Sequence, residues 1–286
     1  MEGAYYNGQY LNRLERLGYS QAEIDNKLER TFEEMFYGPE GVRLCHCAGP
    51  DMMYIEDTGN HDVRTEGMSY AMMFCVQMNR QKEFDCLWRW VVTHMYLTEG
   101  ENAGYFAWSC HTDGSKNSDG PAPDGEEFFA MSLFFAANRW GSGEGVLDYA
   151  SWARRILHAC VHKGEEAGSG FPMWNPENHL IKFIPNCEFT DPSYHLPHFY
   201  ELFALWSDEC DRPFWHAAAA ASRQYLRKAC HARTGLSAEY AEYDGRPHRG
   251  DQPDRHDWFF SDAYRTLGNI ALDAQWFGDK DGWAQE

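Results

Sequence analysis

Predicted helices that are apolar on nearly every side constrain the fold of this chain most strongly. The clearest of them begins within DVRTEGMSYAMM (residues 62–73), where a charged entry leads directly into apolar side chains. Three more follow Asp124, Tyr194 and Asp262, in GEEFFAMSLFFAA, HFYELFALW and AYRTLGNIALDAQWF. A helix without a polar face is buried on all sides. The chain must therefore supply an outer layer to cover these helices.

Amphipathic helices alternate with the apolar ones along the chain. We predict them over residues 20–36, 81–96, 148–162 and 213–229, where apolar residues recur at helical spacing. An inner helix buries two faces and an outer helix one, so the alternation indicates concentric rings built from helical hairpins. Because almost no stretch alternates with a period of two, we expect an all-α domain of about eight or nine helices.

Each apolar helix begins with an acidic or hydroxyl side chain, namely Glu66, Asp124, Tyr194 or Asp262. If the inner helices run parallel, these side chains meet at one end of the fold. Hydrolysis of a glycosidic bond needs one carboxylic acid to protonate the leaving oxygen and one carboxylate that acts as nucleophile or activates water. The pattern is therefore typical of a glycosidase site, bordered by Trp-bearing loops.

Helix capping is the alternative explanation of these acids. Asp124 with Glu127 three residues later fits a capping box, and Glu66 and Asp262 would complement helix dipoles. Their joint occurrence on the most buried helices favours the functional explanation.

Composition excludes several classes of partner. A net charge of −19 disfavours nucleic acid and anionic membrane surfaces, and no stretch approaches the ~20 apolar residues of a membrane span. The first residues lack the features of a signal peptide, and the nine cysteines include no Cys-x-x-Cys pair, so we expect a cytoplasmic protein. The oligomeric state stays open.

We expect neither a metal nor a cofactor. Cys45-His46-Cys47 is the only tight cluster of ligand-type residues, and it lacks a second pair at zinc-site spacing. We interpret the 13 histidines as not clustered at the spacing of metal ligands, so a metalloenzyme is a weak alternative.

Four stretches carry a resemblance to a known family: DVRTEGMSYAMM, NSDGPAPDGEEFFAMSLFFAANRWG, FTDPSYHLPHFYELFALW and FFSDAYRTLGNIALDAQWF. They resemble glycoside hydrolase family 8, and within it the reducing-end xylose-releasing exo-oligoxylanases. The resemblance extends over essentially the whole chain. It implies an (α/α)6 barrel and one catalytic domain over residues 1–286. It also implies inverting hydrolysis of β-1,4-linked xylo-oligosaccharides.

The resemblance also implies catalytic roles. Glu66 in TEGMSY matches the general acid, Asp262 in SDAYR the general base, and Asp124 in APDGEE the aspartate that holds the reacting sugar. A general acid needs a raised pKa, and we expect the charge of Asp124, with partial burial, to outweigh the helix dipole at Glu66. Inversion requires the Glu66 and Asp262 carboxyls to lie about 6.5–9.5 Å apart.

Four further residues are assigned to substrate binding by the same resemblance. Tyr194 matches a tyrosine that positions the water, Arg265 an arginine that supports the base, and Trp108 and Trp174 match aromatic sugar platforms. The chain departs from the broader family signature at Glu126, where an aspartate is usual; this marks the exo-oligoxylanase branch.

Six hairpins contain twelve helices, more than the sequence predicts here, so we expect C-terminal helices of the barrel to be missing. In exo-acting relatives the loop that blocks the cleft belongs to that part. Two alternatives to reducing-end release therefore stay open: an endo-acting β-1,4-glycanase on xylan, glucan or chitosan, and a non-catalytic sugar-binding domain.

Overall fold

The computed structural model describes residues 2–165, 170–250 and 255–285, and its regular structure is mostly helical. The helices are α1 (Ala4–Asn7), α2 (Arg13–Arg16), α3 (Gln21–Tyr37), α4 (Thr65–Gln77), α5 (Gln81–Trp90), α6 (Pro123–Trp140), α7 (Tyr149–His162), α8 (Pro197–Trp206), α9 (Arg212–Ala229) and α10 (Arg265–Phe277). A π-helical turn (Val91–Met95) extends α5, and 3-10 turns cover Gly145–Leu147, Pro192–Tyr194, Ser261–Tyr264 and Trp283–Gln285. None of the described helices is both long and apolar enough to cross a membrane.

The apolar helices α4, α6 and α8 form the centre of the core, as the sequence predicts. α6 buries residues around its whole circumference, from Asp124 to Ala136, and α4 packs directly against it. Each of these helices is followed by an amphipathic helix that packs against it, namely α5, α7 and α9. α7, for example, packs on α6 and buries Ala153, Ile156 and Leu157, while Arg154 stays exposed. Inner and outer helices therefore alternate from α4 to α9.

α10 departs from this expectation. It was expected to be buried on all sides, but of its residues only Thr266, Asn269 and Asp273 are buried. Leu267 and Leu272 remain 46% and 40% exposed. The reason lies in its packing, because among the described residues α10 contacts chiefly α8 and α1, together with the short turns beside it.

Four short strands were not predicted from the sequence. β1 (Cys45–Cys47) pairs antiparallel with β2 (Met53–Ile55), and β3 (Asp62–Arg64) pairs antiparallel with β4 (Ser109–His111). Three residues are too few to show a period of two. The β3–β4 pair holds the long loop before α6 against the start of α4, where the backbone N–H of Thr65 donates to the carbonyl of Trp108 over 3.0 Å.

The cysteines differ in how far they are exposed. All nine are free. Cys45 is buried and Cys47 is exposed, although residues two positions apart on a strand point to the same face. Burial raises the pKa of Cys45 to about 12. The two thiols of Cys45-His46-Cys47 therefore differ in exposure, not in the face of the strand on which they lie.

The contact between α4 and α6 depends on a glycine. A Cβ atom at Gly125 would lie 2.4 Å from Cβ of Thr65, so the two helices can only approach this closely without a side chain there. Glu66 and Asp124 directly adjoin this contact in the chain.

We predict that Gly125→Ala lowers the free energy of unfolding by about 1–3 kcal/mol, because the extra methyl group overpacks the helix contact. Gly268→Ala is the matched control in α10, since its Cβ would meet nothing within 4 Å. The control should be neutral or stabilising by up to about 1 kcal/mol through helix propensity. Urea denaturation measures both, and equal stability of the two variants would contradict the packing argument.

Candidate active site

Three acidic side chains and one arginine meet where α4, α6 and α10 begin. Glu66 and Asp124 are each the second residue of their helix, and Asp262 lies in the 3-10 turn that leads into α10. Arg265 is the first residue of α10. The charges of Asp124, Asp262 and Arg265 all act on the ionisation of Glu66, so the four groups form one electrostatic unit.

Arg265 bridges two of the carboxylates. Its Nη1 lies 2.9 Å from Oδ2 of Asp124, and its Nη2 lies 2.8 Å from Oδ2 of Asp262. Nη1 also donates to the hydroxyl of Tyr70 over 2.6 Å, and the guanidinium lies 5.5 Å from the ring centre of Tyr194. The positive charge that a metal ion could supply between these carboxylates is thus already provided by the protein.

Glu66 forms no ion pair with any residue that the structure describes. Its Oε2 accepts a long hydrogen bond, 3.4 Å, from the hydroxyl of Thr65. Burial raises the pKa of Glu66 to about 7, with the charge of Asp124 as the next cause, while Arg265 acts in the opposite direction. The pKa is raised as the sequence predicts, although burial contributes more than the neighbouring charge.

Asp124 is only 2% exposed, and burial raises its pKa as well. Two contacts stabilise its charged form: the ion pair with Arg265 and the N–H of Gly125, which donates to Oδ1 over 3.0 Å. Because Glu66 lacks an ion pair like that of Asp124 with Arg265 among the described residues, we expect Glu66 to hold its proton and Asp124 to carry the charge.

Capping does not explain these acids. The N-cap residues of α4 and α6 are Arg64 and Ala122, and neither helix has a side-chain cap. Glu127, the second half of the proposed capping box, instead accepts a hydrogen bond from the hydroxyl of Tyr200. Glu126 is equally buried and accepts from the backbone N–H of Phe106 over 3.0 Å. These two glutamates fix neighbouring elements behind the site.

Tyr194 does not begin a helix, in contrast to the sequence expectation. It ends the 3-10 turn Pro192–Tyr194, three residues before the first residue of α8, and is 5% exposed. Asp191 caps this turn by accepting from the N–H of Ser193 over 2.7 Å, and Asn269 of α10 donates to the carbonyl of Ser193 over 2.7 Å. The turn is therefore fixed to the helix that carries Arg265.

Two residues near the site were missed in the sequence. Tyr70 lies four positions after Glu66 on α4, and that helical spacing was the available signal. Asp191 is 1% exposed, and burial raises its pKa to about 8; Asp262 raises it further while Arg265 lowers it. Its place directly before Pro192 suggested only a turn.

The two tryptophans lie in different surroundings. Trp108 is partly exposed beside the start of α4, with the guanidinium of Arg64 5.2 Å from its ring centre. Trp174 is 1% exposed and meets the rings of Trp215 and Tyr200 at 5.0 and 5.7 Å. The structure contradicts a sugar-platform role for Trp174 because its ring is enclosed by other aromatic residues.

A cavity adjoins Asp124, and exposed aromatic rings lie on both sides of Asp262 in the chain. A cavity of about 310 Å³ between α4, α6 and α10 reaches Asp124, Tyr70 and Arg265. The segment around Asp262 carries exposed aromatic side chains, which stack well on sugar rings; they are Trp258, Phe259, Phe260 and Tyr264. A buried acid, an arginine-held carboxylate and aromatic surfaces together suit acid–base cleavage of a sugar chain.

Known proteins are similar to this chain in sequence and in structure. The family model "Glycosyl hydrolases family 8" matches residues 18–284. A "Reducing end xylose-releasing exo-oligoxylanase" of Halalkalibacterium halodurans is 56% identical over 286 residues, which cover 100% of this chain and 73% of that protein. "Reducing-end xylose-releasing exo-oligoxylanase Rex8A" of Paenibacillus barcinonensis is 57% identical, covering 99% of this chain and 74% of that protein.

A solved structure and a more distant relative are also similar to this chain. The structure of Rex8A from Paenibacillus barcinonensis complexed with xylose superposes with a TM-score of 0.96 at 56% identity, covering 99% of this chain and 74% of that one. "Endoglucanase A" of Acetivibrio thermocellus is 26% identical and covers 97% of this chain and 55% of that protein.

Proposed function

The chain belongs to family 8 of the glycosyl hydrolases, and we propose that it hydrolyses β-1,4-linked xylo-oligosaccharides with release of xylose from the reducing end. The observation that carries this proposal is the position of Glu66, a buried acid with a raised pKa, beside a pair of carboxylates that Arg265 holds. The substrate class is supported by relatives at 56–57% identity that are named for this activity.

In the proposed reaction Glu66 is the general acid. It donates its proton to the glycosidic oxygen as the bond to the anomeric carbon breaks, and the reducing-end xylose leaves with a free hydroxyl. A pKa of about 7 keeps this proton in place up to neutral pH, and the rate falls as pH rises above that value.

Asp262 is the general base. It takes a proton from the water that attacks the anomeric carbon on the opposite face of the ring, so the configuration inverts. Arg265 orients the Asp262 carboxylate through the ion pair at 2.8 Å. After each turnover Glu66 is ionised and Asp262 is protonated, and exchange with solvent restores both.

Asp124 and Tyr194 hold the reacting sugar and the water in this proposal. Both are nearly buried and both contact the guanidinium of Arg265, so their positions are coupled to that of the base. Trp108 remains the proposed sugar platform, since its ring is partly exposed beside the start of α4.

We further propose that the helical pairs are part of an (α/α)6 barrel and that residues 1–286 act as one catalytic domain. The alternation of inner and outer helices from α4 to α9 supports the barrel arrangement. Endo-acting cleavage is the second candidate, because the 26% identical relative is named an endoglucanase.

Reducing-end-labelled xylotriose tests the function directly. We expect labelled xylose and unlabelled xylobiose, and the xylobiose should first appear as the α-anomer by proton NMR because a β-bond is cleaved with inversion. Label retained in xylobiose would contradict reducing-end release, and a β-anomer would contradict inversion. Rapid shortening of polymeric xylan would favour endo-action, and binding without cleavage a sugar-binding domain.

We predict that Asp262→Asn lowers kcat on xylotriose by about 10²- to 10⁴-fold, because an amide cannot accept the proton of the water. Calorimetry should still detect xylotriose binding. Asp257→Asn is the matched control, an aspartate whose partner Arg255 belongs to the same loop, and it should retain full activity. An Asp262→Asn enzyme with wild-type turnover would refute the base assignment.

A further inference from the structure

A second cluster of ligand-type side chains lies outside the residues assigned to catalysis. His158 and His162 are one turn apart at the end of α7, and Asp211 directly precedes α9. One ligand atom from each residue lies within 4.8 Å of the others. The catalytic proposal uses none of these residues.

The distances in this cluster suit a small divalent ion. Nε2 of His162 lies 2.7 Å from Oδ1 of Asp211, and Nδ1 of His158 lies 3.4 Å from Oδ2 of the same carboxylate. Tetrahedral zinc with bonds of about 2.0–2.1 Å separates its nitrogen and oxygen ligands by about 3.4 Å. The separation between His158 and the Asp211 carboxylate therefore already fits. The separation between His162 and that carboxylate has to widen by well under 1 Å.

Glu165 supplies an outer-shell partner. Its Oε2 lies 2.8 Å from Nδ1 of His162, so this nitrogen can donate to the carboxylate while Nε2 faces Asp211. Histidines that bind metals commonly donate their second ring N–H to a carboxylate in this way, which fixes the ring and the tautomer. This contact involves none of the three ligand atoms, and it also supports a metal site.

A further donor atom, a thiol sulfur, adjoins the carboxylate of this cluster. The exposed, free thiol of Cys210 lies 3.3 Å from Oδ1 of Asp211. Asp211 is 2% exposed, so its carboxylate is held in place, whereas His158 and Cys210 are accessible from solvent. Two histidines, a carboxylate and a thiolate form a donor set typical of zinc rather than of magnesium or calcium.

The sequence carried part of this signal. His158-Ala-Cys-Val-His162 places two imidazoles on one helix face at a spacing of four. The interpretation that no histidines cluster at ligand spacing was therefore wrong. The remaining ligands could not be assigned from sequence, since Asp211 lies 49 residues after His162.

We propose that this cluster is a zinc site, in which Zn²⁺ is bound by His158, His162 and Asp211 and the thiolate of Cys210 completes the tetrahedron. The ion replaces the proton between His162 and Asp211, and the thiol loses its own proton, so binding releases protons to the buffer. The ion links the end of α7 to the turn before α9. Its expected role is structural, since all four ligand positions belong to the protein.

Zinc titration of the untagged, metal-stripped protein tests this proposal. Calorimetry should give one Zn²⁺ per chain together with a rise in Tm, because the ion binds the folded state. His158→Ala, an exposed position that should not disturb folding, should weaken zinc affinity at least about tenfold. His216→Ala is the matched control, an exposed histidine paired with Glu201 outside the cluster, and it should leave affinity unchanged.

Cobalt substitution identifies the fourth ligand. Co²⁺ should give the intense visible bands of a tetrahedral site and a thiolate charge-transfer band that Cys210→Ser abolishes and Cys47→Ser retains. Absence of saturable binding, or equal zinc affinity in the His158→Ala and wild-type proteins, would overturn the proposal. Loss of binding in Cys47→Ser alone would also overturn it, because the ion would then belong to residues 45–47.

Discussion

The candidate site depends on one guanidinium placed between two carboxylates. Arg265 forms ion pairs with Asp124 and Asp262, which come from different helical elements, and its side chain is only 13% exposed. Removing one partner of a buried ion pair costs about 3–5 kcal/mol, because the remaining charge stays buried without compensation. Arg265 therefore joins the start of α10 to that of α6 and sets the distance between the carboxylates.

The same arrangement gives the third carboxylate its different chemistry. Glu66 shares the buried environment and the negative field of Asp124 but has no bond to Arg265, so its proton is retained to higher pH. The close approach of α4 and α6 at Gly125 brings the two acids together, and the β3–β4 pair fixes the residue from which α4 begins. Helix packing thus brings the two acids together, and the ion pair with Arg265 stabilises the charge on Asp124.

Much of this could be predicted from the sequence. The run of apolar residues predicted a buried helix that begins within residues 62–73, where α4 begins at Thr65, and the acids at helix starts indicated where a site would form. The exposed leucines of α10 could not be predicted, because periodicity shows that a helix is apolar and not what covers it. The assignment of Trp174 as a sugar platform failed for a similar reason, since the sequence does not show whether a tryptophan in a loop packs in the core or faces a ligand.

Contacts between distant residues account for the other misses. The order of causes at Glu66 follows from how deeply the side chain is buried, which the sequence does not specify. Tyr70 belongs to the site only through its hydrogen bond with Arg265, which lies 195 residues later in the chain. The strands were missed because each has three residues, and the His158–His162–Asp211 cluster because its aspartate comes from another element.

Burial and the charge of Asp124 are the two causes that let Glu66 hold its proton. Carbon-13 NMR titration of the Glu66 carboxyl, compared between the wild-type protein and Asp124→Asn, tests this explanation most directly. We expect an apparent pKa of about 7 in the wild-type protein and a lower one in the variant, since a neutral side chain no longer disfavours the ionised form. A wild-type Glu66 that titrates near 4.5, the ordinary glutamate value, would contradict the account.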